Sequence, residues 1–266
     1  MTNKFAKFIK LMPRIILPAA FWLAVWWLCA LLTGSKLLVV SPAETLSRLI
    51  ELAATAGFWR DALSSLVRIV TGYTYGIAVG LALAAAARIK PARALIAPFI
   101  TVVKATPVAS FILLALVWIK TDRVPQFISM LMVLPIIYGS VTSAADSVDP
   151  KLTEAARLFA LKPFAQLKFL YFPAILPQFS GACVTALGLA WKSGIAAEII
   201  CTPKASIGRR LYETKLYLET ADLFAWTLAV ILLSLLLEGA VKLAFDRLGG
   251  KFRPQSNVSG KERSDG

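Results

Sequence analysis

The sequence predicts an all-α membrane protein: six transmembrane helices with a helix–turn–helix loop on the cytoplasmic face. Three observations carry that expectation. Hydrophobic residues make up 58% of the 266-residue chain and charged residues 17%, against about 25% charged in an ordinary globular domain; mean hydropathy is +0.71. Apolar stretches of about 20 residues, long enough to cross a bilayer as helices, recur along the chain. Basic residues crowd alternate connections between those stretches, the asymmetry that positive-inside insertion produces.

Apolar length places the spans near 15–34, 66–87, 94–119, 124–145, 174–201 and 223–245. The first follows a basic start but reads as a span and not as a cleaved signal. From Arg14 to Gly34 it runs 21 residues with three tryptophans, longer than a signal's apolar region. Ser41-Pro42 then marks a helix start, and Leu46, Leu49, Ile50 and Leu52 recur with helical period, which predicts a short surface helix within 41–60. The second span carries Gly72, Gly76 and Gly80 at intervals of four, followed by Ala84, so a neighbouring backbone can approach that face; helix packing is its expected role. Pro98, Lys104 and Thr106-Pro107 interrupt the third span, features that kink a helix and free its carbonyls. Residues 1–14 form an N-terminal segment, 15–248 the six-span domain, and 249–266 a polar tail without apolar period, expected to be disordered. No internal repeat of 20–50 residues is visible.

An even number of spans puts both termini on one side. The segments of that side hold sixteen of the 29 basic residues and those of the other side nine, while Arg68, Lys104, Lys192 and Lys242 fall inside spans. Both termini, 88–93 and 147–171 are therefore expected in the cytoplasm of a multi-pass cell-membrane protein. The same topology accounts for the net charge of +14 without a nucleic-acid partner.

The chain contains no histidine, which excludes His-based triads, His metal sites and imidazole proton relays. Cys29, Cys183 and Cys201 are scattered without metal-ligand spacing and read as packing residues. Neither a metal nor a cofactor is expected, and the chain reads as a non-enzyme.

Charges inside spans are the candidates for function. Lys104 lies eleven residues from Arg93, about 16 Å at the helical rise and close to the bilayer midplane. Lys192 lies about 14 Å from the outer end of its span by the same rise, with Glu198 nearer that end. Six residues separate the two, about 240° around a helix, so they do not pair on one face. Lys104, Thr106, Pro107, Lys192 and Glu198 are candidates to line a translocation path that favours an anionic solute. The competing reading makes each lysine structural, bonded to carbonyls or an acid, or snorkelled to a head group.

Asp149-Pro150 opens a further helix, with Leu152, Ala155, Ala156, Phe159 and Ala160 on one flank. Lys162-Pro163 breaks it, and a second short helix runs toward Pro173. Such a knob fits a groove in a soluble protein; a helix lying in the membrane interface is the alternative.

In this segment, 149–172 and its flank, Glu154-Ala155-Ala156 is followed after three residues by Ala160 and after nine more by Leu170-Tyr171-Phe172-Pro173. That pattern resembles the loop of ATP-binding-cassette importer permeases, which carries Glu-Ala-Ala, Gly and Ile-x-Leu-Pro at the same spacing. SSLVRIVTGYTYGIAVGLALA (64–84), FITVVKATPVASF (99–111) and ALGLAWKSGIAAEII (186–200) also look like permeases for nitrate, taurine and alkanesulfonates, and the likeness covers about 45–245. The resemblance implies the type I importer permease fold. It further implies a permease homodimer in the lipid bilayer, cytosolic ATPase subunits docked on the loops, and an extracytoplasmic solute-binding protein. Glu154, Ala155, Ala156, Ala160 and Pro173 would take the ATPase-coupling role. In that subfamily a basic residue commonly precedes the small-Pro step, as Lys104 precedes Thr106-Pro107. Leu170 and Phe172 replace the family's Ile and Leu conservatively. Alanine at 160 suits a tight connection with φ negative, so the bend is expected to differ from the one glycine makes.

No G-x-x-x-x-G-K-[ST] phosphate loop occurs, so ATP is expected to be hydrolysed by another chain, with alternating access in this one. The resemblance and Lys104 lean toward a sulfonate, taurine or nitrate; permeases with this pattern also serve thiamine-precursor-like heterocycles. An ion-driven secondary transporter working through Lys104, Glu198 and Glu238 is the rival from another class, and the absence of an inverted repeat counts against it. An intramembrane enzyme lacks a His dyad or metal cluster, and a scaffold would tolerate scrambling of 153–163.

Overall fold

The computed structural model describes residues 2–35 and 37–249, and every regular element among them is helical. In order these are α1 (Thr2–Thr33), α2 (Pro42–Ala53), α3 (Ala56–Ala86), α4 (Lys90–Ala105), α5 (Val108–Trp118), α6 (Val124–Asp146), α7 (Pro150–Leu158) and α8 (Pro163–Gln166). A π-helical turn (Leu167–Tyr171) leads into α9 (Phe172–Cys201), followed by α10 (Ile207–Leu216) and α11 (Thr220–Gly249). The tail expected at 249–266 lies, beyond Gly249, outside the described residues.

The core is built around α6, which α3 and α9 clasp from two sides. Val124, Ile128, Val133, Ile137 and Ala144 of α6 are fully buried. Between apolar helices in lipid, close approach of backbones supplies the attraction that water-exclusion supplies elsewhere. The glycines permit it. A Cβ on Gly76 would lie 2.6 Å from Val133 Cβ, one on Gly80 2.9 Å from Ile137 Cβ, and one on Gly72 would run into the Gln126 carbonyl. On α9, a Cβ on Gly194 would lie 2.6 Å from both Ile69 and Ser129, and Ser129 Oγ donates to the Ala190 carbonyl at 3.1 Å. The three helices thus meet at small residues.

One end of the bundle, the loop end, carries the α3–α4 turn and α7–α8; the other, the rim end, carries α2 and α10. At the rim α11 packs on α2, α9 and α10, with Phe58 and Trp226 stacked at 4.8 Å. Trp191, 1% exposed, donates its indole N–H to the Val230 carbonyl at 3.1 Å. The short helix expected within 41–60 is α2, capped by Ser41, but it stops at Ala53 because α3 begins ten residues earlier than expected for the second span. Of the apolar set on α2, Leu49 is buried, whereas Leu46 and Ile50 face outward.

Four described helices are long and apolar enough to cross a membrane: Ala56–Ala86, Val124–Asp146, Phe164–Cys201 and Thr220–Arg247. The third expected span is a bent pair, α4 and α5 meeting at 108°. Of its three interruptions only Thr106-Pro107 breaks the helix; Pro98 stays inside α4. The apolar part of α1, Leu17–Thr33, is shorter than a full span. Length and composition therefore account for four of the six expected spans, or five with the bent pair counted as one.

Candidate functional site

The helix–turn–helix expected after Asp149 is formed by α7 and α8. Asp149 starts α7 by accepting the Lys151 N–H on Oδ1 at 2.9 Å. At the other end Leu161 N–H reaches back to the Ala156 carbonyl at 3.0 Å, the six-to-one bond of a Schellman cap, which requires a left-handed residue just before it. Ala160 is that residue, with φ 48°. This corrects the expectation of a negative φ: alanine takes the conformation that glycine takes freely, and the cap bond to the Ala156 carbonyl holds the reversal. The second helix does not end before the span. Pro173 has no N–H, and its ring excludes the carbonyl four residues back; the backbone answers by widening to a π turn, in which Phe172 N–H bonds the Leu167 carbonyl.

Ala156 points inward and is buried, while Glu154 is exposed and Ala155 half-buried. Pro173 is also exposed, at the start of α9. Leu158, Phe159 and Phe164 are 86%, 80% and 75% exposed, so the tip of the knob presents an apolar surface that none of the described residues covers. The base of the knob is tied down. Asp146, the last residue of α6, accepts from Arg88 at 3.1 Å and pairs with Arg93 at 2.8 Å. The Arg88 guanidinium lies 5.2 Å from the Tyr171 ring centroid. Glu154, Thr153, Tyr171, Arg88 and Asp146 line a cleft of about 360 Å³ between knob and bundle. Sequence reasoning missed Asp146, Arg88 and Tyr171, which belong to three separate connections.

The expected path residues do not form one cluster. Lys104 occupies the last turn of α4, exposed, beside Gly139 of α6 and next to the Thr106-Pro107 break. Lys192 is exposed on α9. Among the described residues neither lysine takes part in an ion pair.

Glu198 is fully buried. Its Oε1 accepts from Arg68 Nη1 at 2.7 Å, and its Oε2 from Ser65 Oγ at 2.7 Å and Gly208 N–H at 3.2 Å. It does not pair with Lys192, as expected, and its partner Arg68 was missed. The sequence signal was present: Arg68 and Glu198 are opposite charges inside two spans, which lipid forces into pairs. The pair joins α3 to α9 and holds the start of α10, where Ser65 Oγ also accepts the Ile207 N–H at 2.9 Å. Thr202 and Ala205, with φ 47° and 48°, turn the chain back from α9 into α10.

Elsewhere on the rim, Arg48 of α2 binds both carboxylate oxygens of Asp222 on α11 and lies 2.7 Å from Glu51. The hydrogen bonds to Asp222 and Glu51 push the Arg48 guanidinium further above its ordinary range. Among the described residues no group of three or more metal-ligating side chains occurs.

Residues 76–250 match the family model described as binding-protein-dependent transport system inner membrane component. A probable ABC transporter permease protein of Brucella melitensis is 26% identical over 226 residues, 84% of this chain and 90% of the relative. The taurine transport system permease protein TauC of Escherichia coli is 24% identical over 240 residues, 86% of each chain. Among solved structures, a bacterial ABC transporter involved in the import of the acidic polysaccharide alginate superposes with a TM-score of 0.60 at 15% identity. That match covers 95% of this chain and all of the other.

Proposed function

The chain belongs to the family of binding-protein-dependent transport system inner membrane components, and from that premise we propose that it is the permease subunit of an importer for a small anion, a sulfonate, taurine or nitrate. One observation supports the reading above the rest. The Glu154-Ala155-Ala156 segment is a helix closed by a left-handed Ala160, with Leu158, Phe159 and Phe164 exposed at its tip. An apolar helical tip of this kind fits a groove on a soluble partner.

In this reading the knob and both termini face the cytoplasm, and separate ATPase subunits dock on the knobs of a permease homodimer. Glu154, Ala155, Ala156, Ala160 and Pro173 shape the docking surface. ATP binding draws the knobs together, and the bundles rock between inward-facing and outward-facing states. An extracytoplasmic binding protein delivers the solute to the rim. Lys104, beside the Thr106-Pro107 break, and Lys192 line the path; two exposed ammonium groups without an acidic partner among the described residues suit an anion. The TauC relative, whose name gives taurine as cargo, supports the same choice. Glu198 serves the path indirectly, by holding α10 to α3 and α9. Bond chemistry belongs to the ATPase.

Two experiments test the proposal. Glu154→Lys should lose assembly with the purified ATPase together with substrate-stimulated hydrolysis; normal values of both would remove the docking assignment. Lys104→Met and Lys192→Met should lower uptake of the anion or change its selectivity, and unaltered uptake in both would remove the path.

A further inference from the structure

We propose that Asp146 is a clamp that carries movement of the knob into α4, and through α4 to Lys104. The inference rests on the importer function proposed above. Asp146 ends α6, and only Ser147, Val148 and Asp149 separate it from α7, so a displaced knob pulls on it directly. Its two carboxylate oxygens are divided between two partners, Oδ1 with Arg88 at 3.1 Å and Oδ2 with Arg93 at 2.8 Å. Arg88 sits in the turn between α3 and α4, and Arg93 in the first turn of α4. From the other end of the knob, Tyr171 of the π turn meets the same Arg88, its ring centroid 5.2 Å from the guanidinium and its hydroxyl accepting at 3.4 Å. Both ends of the knob thus converge on the start of α4.

Few other contacts compete for control of that helix. On α4 only Ile100 and Val103 are buried, both in its second half. Lys104 stands eleven residues from Arg93, about 16 Å along the rod, so a tilt at the clamp displaces the ammonium. Stability does not account for the pairs: Arg88, Arg93 and Asp146 are 47%, 50% and 39% exposed, and ion pairs this exposed add little to it. Asp146 is a positioning residue in this scheme and meets neither solute nor nucleotide.

Asp146→Asn, assembled with the ATPase and binding protein in proteoliposomes, should keep ATP hydrolysis while taurine moved per ATP falls by about fivefold or more. Asp146→Glu should restore the ratio. Spin labels at Leu95→Cys on α4 and Leu152→Cys on α7, with the native cysteines replaced, should hold one intraprotomer distance with and without ATP. In Asp146→Asn that distance should broaden and become ATP-dependent. An unchanged ratio with unchanged distances would overturn the clamp. The distance readout needs no transported solute, so a parent complex that moves no taurine overturns the solute assignment and leaves the clamp to be decided by the labels. If Asp146→Asn fails to assemble, Arg93→Gln, at an exposed position on α4, decides on the same readouts.

Discussion

Ala160 holds a conformation that costs an L-residue about 1–2 kcal/mol, at the position where the resembled permeases place glycine. Ala160→Gly removes that cost and returns roughly 0.5–1 kcal/mol as backbone entropy. The expected net gain therefore lies between zero and about 1.5 kcal/mol, read as a slightly higher melting temperature in detergent. Ala160→Val should do the reverse and lower recovery of the ATPase complex, since a β-branched side chain tolerates φ 48° least. The Arg68–Glu198 pair makes a second prediction at this scale. Arg68→Ala leaves a buried carboxylate without its counter-ion and should destabilise the fold by roughly 3–5 kcal/mol, read as loss of folded, extractable protein. Adding Glu198→Gln should recover part of that loss, because the two changes are coupled. The strain was not legible beforehand, and the pair was legible only as two opposite charges inside separate spans. Motif spacing located position 160 but carried no dihedral, and 130 residues separate Arg68 from Glu198, so no local period connects them.

At the level of helices, the small-residue ridge of α3 was legible because its cause is local: three glycines at intervals of four lie on one face whatever the partner is. That the partner is α6 was not, since the rotation of one helix about another depends on both surfaces. Gly76→Leu should force α3 from α6 and cost at least about 1–3 kcal/mol. Gly181→Ala on α9, whose added Cβ meets nothing within 4 Å, should instead raise stability by roughly 0.5–1 kcal/mol, since alanine loses less backbone freedom in a helix interior. Thermal unfolding of the two variants in one detergent would separate a packing ridge from a mere absence of side chains. The third span shows the limit of counting apolar residues. Pro98, Lys104 and Thr106-Pro107 all read as interruptions, yet the helix runs on through the first and turns by 108° at the last. There Thr106 takes the extended conformation that a following proline imposes.

Over the whole molecule, the distribution of basic residues predicts which end faces which compartment. With the native cysteines replaced, Lys204→Cys on the rim should react with a membrane-impermeant thiol reagent in intact cells, and Lys162→Cys on the knob only after permeabilisation. The reverse pattern would invert the orientation. The bundle and its knob were legible in outline because spans and motif spacing are properties of the chain read in order. The convergence of Arg88, Asp146 and Tyr171 was not, because it exists only once three connections are brought to one end. The π turn at Leu167–Tyr171 links the two scales. It contains about one residue more than an α-helical turn would, so it sets the phase of the knob relative to every face of α9, with one residue worth about 100° of rotation. Deleting a single residue there would keep every motif residue in the chain yet aim the knob at a different bearing, leaving the proposed docking surface intact in composition and pointed away from the ATPase proposed to bind it.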